Sequence, residues 1–247
     1  MAPTVRIGTS GWSYREWVGR FYPPGTRAGG MLAEYARRFD TVEVNATFYR
    51  RPAGAMVARW REVTPAGFLF AVKASRQITH LKRLRDAEGA LQDFLAAVSP
   101  LGDKLGPVLF QLPPSLGPDP ARLSDFLSAL PPGLRAAVEF RDAAWHHRET
   151  FALLERHGAA LCIHDYPGMT PCVQATAPLV YLRFHGTGPV RYAGRYGDDA
   201  LRPWARRILG WRDEGRDVFA YFNNDRGGAA VEDAMALKAM VDAGAGD

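Results

Sequence analysis

The 247-residue sequence has few cysteines, no long apolar run and no block of like charge. Its two cysteines, Cys162 and Cys172, are too few for a disulfide framework and lack the spacing of a metal-binding pair. No apolar stretch approaches the roughly 20 residues that a membrane-spanning helix needs. The N-terminus, Met-Ala-Pro-Thr-Val-Arg, leads directly into an apparent strand without a secretory signal pattern. These absences favour a cytoplasmic protein with free thiols and no membrane partner.

The charge balance is positive but not concentrated. Lys and Arg number 31 against 26 Asp and Glu, which gives a net charge of +5. Such a balance mildly favours anionic partners, either nucleic acid or a small anionic molecule such as a phosphorylated metabolite. A general richness in Ala and Arg, which coding bias produces, is the alternative explanation.

Short apolar strands alternate with helical segments along the whole chain. In chain order, strands are predicted at 5–9, at the start of 41–49, and at 68–74, 106–112, 135–140, 160–164, 179–185 and 217–223. Helices are predicted at 31–39, 54–63, 86–98, 119–130, 148–157, 199–213 and 228–241. Eight strand–helix units in one domain spanning 1–247 predict an α/β fold, a single (β/α)8 TIM-type barrel. The alternative is a doubly wound open sheet, but the first strand is not followed by a GxGxxG turn.

Polar side chains are predicted to face the barrel axis near the carboxyl ends of the strands. Because side chains alternate along a strand, Val42 and Val44 face the helices while Glu43 and Asn45 face the axis. The same rule gives a wider inward set: Lys73, Gln111, Glu139, Arg141, His164, Arg183, His185, Tyr221 and Asn223. Barrel interiors are normally Val, Ile and Leu, and active sites lie at the carboxyl-terminal mouth, so this set indicates a ligand site.

The alternative to a ligand site is a buried network in which the polar groups satisfy one another. Glu43 would then pair with Arg183, or Glu139 with Lys73, because buried charges are usually paired.

Motifs spread over the chain resemble those of one known family. They are Gly-Thr-Ser-Gly-Trp-Ser-Tyr, Thr-Val-Glu-Val-Asn-Ala-Thr-Phe-Tyr, Phe-Ala-Val-Lys-Ala-Ser, Ile-Thr-His-Leu-Lys-Arg-Leu, Leu-Gly-Pro-Val-Leu-Phe-Gln-Leu-Pro-Pro, Val-Glu-Phe-Arg, Arg-Phe-His-Gly and Tyr-Phe-Asn-Asn-Asp. Together they resemble the YecE-like family, also called domain of unknown function 72. The resemblance implies a TIM-type barrel and leaves the activity open. Ala46 departs from the Ser or Thr usual in the family, at a position that alternation places on the helix side.

The inward charges favour an anionic ligand. Arg141 and Arg183 suit bidentate binding of phosphate or carboxylate, and Lys73 suits a point charge. We predict that these three cations hold the anion, helped by Asn45, Gln111, Tyr221 and Asn223. The groups predicted to transfer protons are Glu43, Glu139, His164 and His185.

Two kinds of loop add to the predicted site. The Gly-rich segment 186–197, with Tyr192 and Tyr196, and the segment 224–227 before a helix are the usual position of a phosphate site in such barrels. The aromatic loop after the first strand, from which Trp12 is taken as a substrate contact, could stack bases or sugars, as could Tyr49. The alternative is a hydrophobic plug that anchors the loop.

The sequence therefore predicts an enzyme, a metal-independent hydrolase or lyase, acting on a phosphorylated or nucleic-acid-like substrate. No cofactor is predicted. Glu and His side chains could bind a divalent metal, but HxH and HxxxH spacings do not occur and the inward cations would repel it. The alternatives are a non-catalytic nucleic-acid-binding protein and a metal-dependent phosphodiesterase. The sequence does not give the oligomeric state.

Overall fold

Eight parallel strands form the sheet of the computed structural model, which describes residues 2–166, 169–188, 190 and 192–244. The strands are β1 Val5–Thr9, β2 Thr41–Val44, β3 Leu69–Lys73, β4 Leu105–Gln111, β5 Ala136–Glu139, β6 Ala160–His164, β7 Leu179–Phe184 and β8 Asp217–Phe222. From β2 to β8 each strand pairs with its neighbours in sequence, β8 pairs with β1, and β1 and β2 are joined by a single isolated bridge between Ser10 and Glu43. The predicted (β/α)8 barrel is confirmed.

The helices surround the sheet, and all of them except the short helix directly after β2 were predicted. They are α1 Met31–Tyr35, α2 Ala46–Tyr49, α3 Gly54–Val63, α4 Glu88–Val98, α5 Pro120–Ser128, α6 Arg148–Arg156, α7 Gly197–Asp213 and α8 Ala229–Asp242. No helix was predicted between β6 and β7, and none occurs in the described part of 165–178, so one of the eight predicted strand–helix units lacks its helix. In the described residues no helix combines the length and apolar composition needed to cross a membrane.

The barrel closes between β1 and β2 with little backbone pairing. The hydroxyl of Tyr35 accepts a hydrogen bond from the Thr9 N–H (2.9 Å) and donates one to the Thr41 carbonyl (3.1 Å). Gly8 stands where the two strands come closest, since a Cβ there would lie 2.4 Å from the Thr41 oxygen. A buried side chain therefore replaces part of the ladder at this seam, which satisfies backbone groups that water cannot reach.

Two apolar layers hold the barrel together. The outer layer lies between strands and helices, and the interior layer is small: Leu69, Ala71, Leu109, Ala137, Ala160, Cys162, Ala177, Leu179, Tyr181, Phe219 and Tyr221. Above this interior layer, polar side chains occupy the axis.

The aromatic loop after β1 is largely an anchor. Trp17, Phe21 and Tyr22 are buried, and Phe21 packs on Tyr35 and Phe39 of the α1 region. For these residues the structure agrees with the plug alternative and not with a stacking surface, because buried rings cannot contact a base.

Candidate functional site

Arg183 on β7 is the centre of a buried ionic network. Its Nε and Nη2 donate to the two carboxylate oxygens of Glu43 on β2, at 3.0 and 2.8 Å. Its Nη1 donates to Glu139 on β5 at 2.7 Å, and Arg141 donates to the other oxygen of Glu139. Glu43, Glu139 and Arg183 are all buried. The three strands are thus joined by charge-assisted hydrogen bonds across the barrel axis.

Glu43 acts as the counter-ion of Arg183. Its oxygens also accept hydrogen bonds from the hydroxyls of Ser10 (2.6 Å) and Tyr181 (2.7 Å). Burial alone would raise the pKa of Glu43, but Arg183 and these hydroxyls more than offset it, so the pKa lies below its usual value. Glu43 is ionised and fully hydrogen-bonded, an arrangement that argues against the predicted proton transfer.

Glu139 is held in the same way. Burial opposes its ionisation, but Arg141 and Arg183 bring its pKa well below the usual value. Each carboxylate oxygen already accepts from one arginine. The predicted pair of Glu139 with Lys73 is not formed, because the two arginines occupy Glu139.

The two predicted catalytic histidines, His164 and His185, differ in their hydrogen-bond partners and in the size of their pKa shifts. Burial lowers the pKa of His164, whose Nε2 donates to the Phe140 carbonyl (2.8 Å) and whose Nδ1 accepts from the Tyr166 N–H (3.3 Å). Both nitrogens are therefore committed to the backbone. Burial lowers the pKa of His185 further, to well below its usual value. His185 is therefore neutral near pH 7. Its Nε2 lies 3.4 Å from Arg141 Nη2 and its Nδ1 lies 3.2 Å from Asn223 Nδ2.

A cavity of about 440 Å³ opens at the carboxyl ends of the strands, directly above the network. The lining residues are Asn45, Tyr49, Lys73, Gln111, Pro114, Arg141, Tyr166, Met169, Arg183, Tyr192 and Asn223. Eight of the predicted substrate-binding residues are therefore brought together here. That they bind a substrate stays a prediction.

Lys73 differs from the other inward cations. Its Nζ donates to the Gln111 amide oxygen (2.9 Å) and lies 4.2 Å from the centre of the Phe48 ring. In the described part of the chain, no carboxylate lies within ion-pair distance of this amine. Burial and the positive charge of Arg183 lower the pKa of Lys73 to about 8.

Arg141 and Asn45 present further polar groups to the cavity. The Arg141 guanidinium carbon lies over the Tyr166 ring, 3.8 Å from its centre, a cation–π contact. The side-chain oxygen of Asn45 is buried and has no hydrogen-bond partner among the described residues. A buried acceptor without a partner is costly, so a ligand with a donor group would be stabilised there.

Three predicted contacts do not reach the cavity and are corrected. Trp12 packs edge-on against Trp60 of α3, with ring centroids 5.4 Å apart. The Tyr221 hydroxyl is buried against the hydroxyl of Thr41 (2.7 Å), the first residue of β2, and so it points away from the carboxyl-terminal mouth. The Tyr196 hydroxyl bonds the Gly186 N–H and the Asp165 carboxylate, while its ring packs on Phe184. These side chains support the barrel and its loops.

Sequence reasoning missed Pro114, Tyr166 and Met169, which also line the cavity. All three lie beyond the ends of strands, where side-chain directions no longer alternate. The Pro113-Pro114 pair that ends β4 and the aromatic residue two positions after His164 were the available signals.

The predicted phosphate site at the loops after β7 and β8 is not supported by the described residues. The N-terminal end of α8 is covered by the loop after β1, where Arg20 donates to the Gly227 carbonyl (2.7 Å) and Tyr14 donates to Asp225 (2.9 Å). Two carboxylates, those of Asp225 and Asp233, also lie near this end. Positions 189 and 191 of the predicted phosphate loop lie outside the described residues.

One set of potential metal ligands occurs in the described chain. Ligand atoms of Glu139, His164 and His185 lie within 4.8 Å of one another. Both Glu139 oxygens accept from arginine and both His164 nitrogens bond the backbone. A cation would have to displace these partners next to two positive guanidinium groups, so this donor set fits a divalent metal poorly.

Asp225→Asn is expected to change the pH dependence of stability. Burial raises the pKa of Asp225 to about 7, although the Tyr14 hydroxyl partly offsets this. Between about pH 4 and 7 the folded protein holds a proton that the unfolded chain has lost, so stability falls as pH rises through this range. The variant should be more stable than the wild type by about 1–3 kcal/mol at pH 8 and nearly equal at pH 4, as measured by urea unfolding. Asp125→Asn, at an exposed carboxylate, is the control, and equal effects of the two variants at pH 8 would contradict the expectation.

Comparison with known proteins gives a consistent set of relatives. A family model described as "Protein of unknown function DUF72" matches residues 6–246. The UPF0759 protein YunF of Bacillus subtilis is 27% identical over 270 residues, covering 96% of this chain and 95% of the relative. The UPF0759 protein YecE of Escherichia coli strain K12 is 37% identical over 139 residues, covering 56% of this chain and 48% of the relative.

Solved structures agree with these sequence matches. The crystal structure of a DUF72 family protein from Thermotoga maritima has a TM-score of 0.87 and 27% identity, covering 97% of this chain and 99% of the other. A glycoside hydrolase family 5 enzyme from Prevotella bryantii has a TM-score of 0.52 and 12% identity, covering 98% of this chain and 95% of the other. At that identity the likeness concerns the barrel fold alone.

Proposed function

The chain belongs to the DUF72 family, whose description leaves the activity open, and from that premise we propose an enzyme that acts on a phosphorylated substrate. The substrate binds in the cavity at the carboxyl-terminal mouth of the barrel. A volume of about 440 Å³ suits a small molecule rather than a folded partner.

The charge balance around the cavity carries the proposal. Lys73, Arg141 and Arg183 supply three positive charges, and the carboxylates beneath them, Glu43 and Glu139, supply two negative charges. One positive charge is left in excess, and it belongs to the group without a carboxylate partner in the described residues, Lys73. A partly buried cation without a counter-ion is costly, and a bound phosphate would offset that cost.

The surrounding residues suggest a division of roles. Arg141, which lies over the Tyr166 ring, donates to the phosphate oxygens, and Lys73 adds a point charge. Asn45 and Asn223 orient the rest of the substrate. His185, neutral and hydrogen-bonded to Arg141 and Asn223, accepts or returns the proton in the reaction. Glu43 and Glu139 keep Arg183 and Arg141 in place.

Calorimetric titration tests the proposal. Inorganic phosphate and ribose 5-phosphate are expected to bind one site, whereas ribose, the uncharged control, is not. Binding is expected to persist after treatment with a chelator, because no step uses a metal. Equal affinity for ribose and ribose 5-phosphate would refute the anionic site, and loss of binding on chelation would favour the metal-dependent phosphodiesterase.

A second candidate is a non-catalytic protein that binds single-stranded nucleic acid. Its support is Tyr49, which is 71% exposed and lies between the mouth and a neighbouring cavity of about 450 Å³ lined by Arg50, Arg51 and Arg76. An exposed ring beside arginines suits base stacking and backbone contacts. Affinity for a single-stranded oligonucleotide that falls steeply with salt and depends on Tyr49 would favour this candidate.

A further inference from the structure

Lysine is rare in this chain, and one lysine has unusual surroundings. Only four of the 31 basic residues are lysines. The Lys104 amine donates three hydrogen bonds, two of them to Thr64, and Lys238 pairs with an acid one turn away. Lys82 is exposed to solvent. Lys73 alone of the four lines the mouth cavity.

The surroundings of Lys73 lower the pKa of its amine. Burial and the positive charges of Arg183 and Arg141 disfavour the ammonium form, and the hydrogen-bond acceptor, Gln111, is uncharged. The Phe48 ring and the nearby carboxylates favour the ammonium form but do not offset these effects. With a pKa of about 8, about a tenth of the amine is neutral at pH 7, against about three parts in ten thousand for an ordinary lysine. An arginine here would bind an anion at least as well but would never lose its proton, so the amine itself offers chemistry that the other cations lack.

We propose that the Nζ of Lys73 forms an imine with the carbonyl carbon of a substrate that also carries a phosphate or carboxylate group. This inference rests on the proposed function, because Arg141 holds the anionic group while Lys73 reaches the carbonyl from the same cavity. The substrate class is therefore an anionic aldehyde or ketone.

The step balances without a redox partner. The nitrogen lone pair of Lys73 forms a C–N bond while the carbonyl π bond breaks, and the resulting alkoxide takes the proton that the nitrogen loses. The carbinolamine then expels its hydroxyl group, which leaves as water after taking one proton from solvent. A cationic C=N bond remains, and it withdraws electrons from the neighbouring carbon and so labilises its bonds.

Reductive trapping tests the inference. The protein is incubated at pH 7 with glyoxylate, an aldehyde that carries a carboxylate, and sodium cyanoborohydride, and the modified lysines are identified by peptide mass mapping. Lys73 is expected to react at least tenfold faster than Lys82, the internal control in the same sample. The Lys73→Arg variant should keep its fold by circular dichroism and lose only that adduct. Equal or slower trapping at Lys73 than at Lys82 overturns the inference.

Two further arms separate this inference from the proposed function. Inorganic phosphate should slow trapping at Lys73 and not at Lys82, and acetaldehyde, which has no anionic group, should react with Lys73 more slowly than glyoxylate. If phosphate binds but Lys73 is not trapped preferentially, the imine is refuted and the anion site stands. If Lys73 is trapped equally by both aldehydes and phosphate has no effect, the anion site is refuted and the reactive amine stands.

Discussion

Arg183→Met is expected to lower the free energy of unfolding by about 3–5 kcal/mol at pH 7, the cost typical of breaking a buried ion pair from one side. The side chain is the shared partner of Glu43 and Glu139, both of which are fully buried. Without the guanidinium, two carboxylates face each other in a low-dielectric interior. Urea unfolding followed by tryptophan fluorescence measures the loss.

The loss should depend on pH in a defined direction. In the wild type the pKa values of Glu43 and Glu139 are lowered, so their contribution to stability is present above about pH 4.5 and is lost as pH falls through the folded values. The variant lacks most of this contribution, and its difference from the wild type should shrink in acid. Arg37→Met, which removes an exposed pair with Glu34, is the control and should cost less than about 1 kcal/mol. A loss below about 1 kcal/mol for Arg183→Met would show that the network is not a structural centre.

Arg141→Gln is expected to weaken binding of inorganic phosphate by roughly 10- to 100-fold, the equivalent of about one charge-assisted hydrogen bond. Arg141 lines the cavity, and its guanidinium lies over the Tyr166 ring. Glutamine keeps a hydrogen-bond donor of smaller reach but removes the charge. Glu139 retains Arg183 as its partner in the variant, so the barrel should remain folded. Calorimetry at fixed ionic strength measures the change.

Arg50→Gln is the matched control for this prediction. Arg50 lines the neighbouring cavity and not the mouth, so phosphate affinity should stay within about twofold of the wild type. If Arg50→Gln weakens oligonucleotide binding while Arg141→Gln leaves phosphate binding unchanged, the nucleic-acid alternative replaces the enzyme.

The barrel could be predicted from sequence because its strands are short, apolar and regularly spaced. The exceptions are elements that depend on contacts between strands. The short helix α2 directly after β2 is fixed by Thr47, whose hydroxyl donates to the Val44 and Lys73 carbonyls. The π-helical turn at Gln77–Leu81 likewise has no signature in the hydrophobic period.

The sequence predicted which side chains face the barrel axis, but not how far each one reaches along the axis or which charged groups pair with one another. Alternation correctly placed Lys73 and Arg183 on the barrel axis, yet it cannot tell how far a long side chain reaches. Tyr221 satisfies the same parity, but its hydroxyl bonds Thr41 away from the mouth. Alternation also cannot choose partners among several charges, and so it left open the pairing of Glu139, which the structure gives to Arg183 and Arg141.

The buried network also explains why two predicted catalytic carboxylates look like counter-ions. A glutamate that must transfer a proton needs a free oxygen and a pKa near the working pH. Glu43 and Glu139 have neither, since their oxygens are bonded to arginines and hydroxyls. The proposed proton transfer and imine formation then fall to His185, which is buried beside the cavity residues Arg141 and Asn223, and to the amine of Lys73.

A crystal soaked with tungstate, a heavy analogue of phosphate, tests the anionic mouth most directly. The account predicts one strong anomalous peak in the cavity, within hydrogen-bond distance of the Arg141 guanidinium and close to the Lys73 amine. A peak at the N-terminal end of α8 with none in the mouth, or no peak in the cavity at a concentration that saturates phosphate binding, would contradict it.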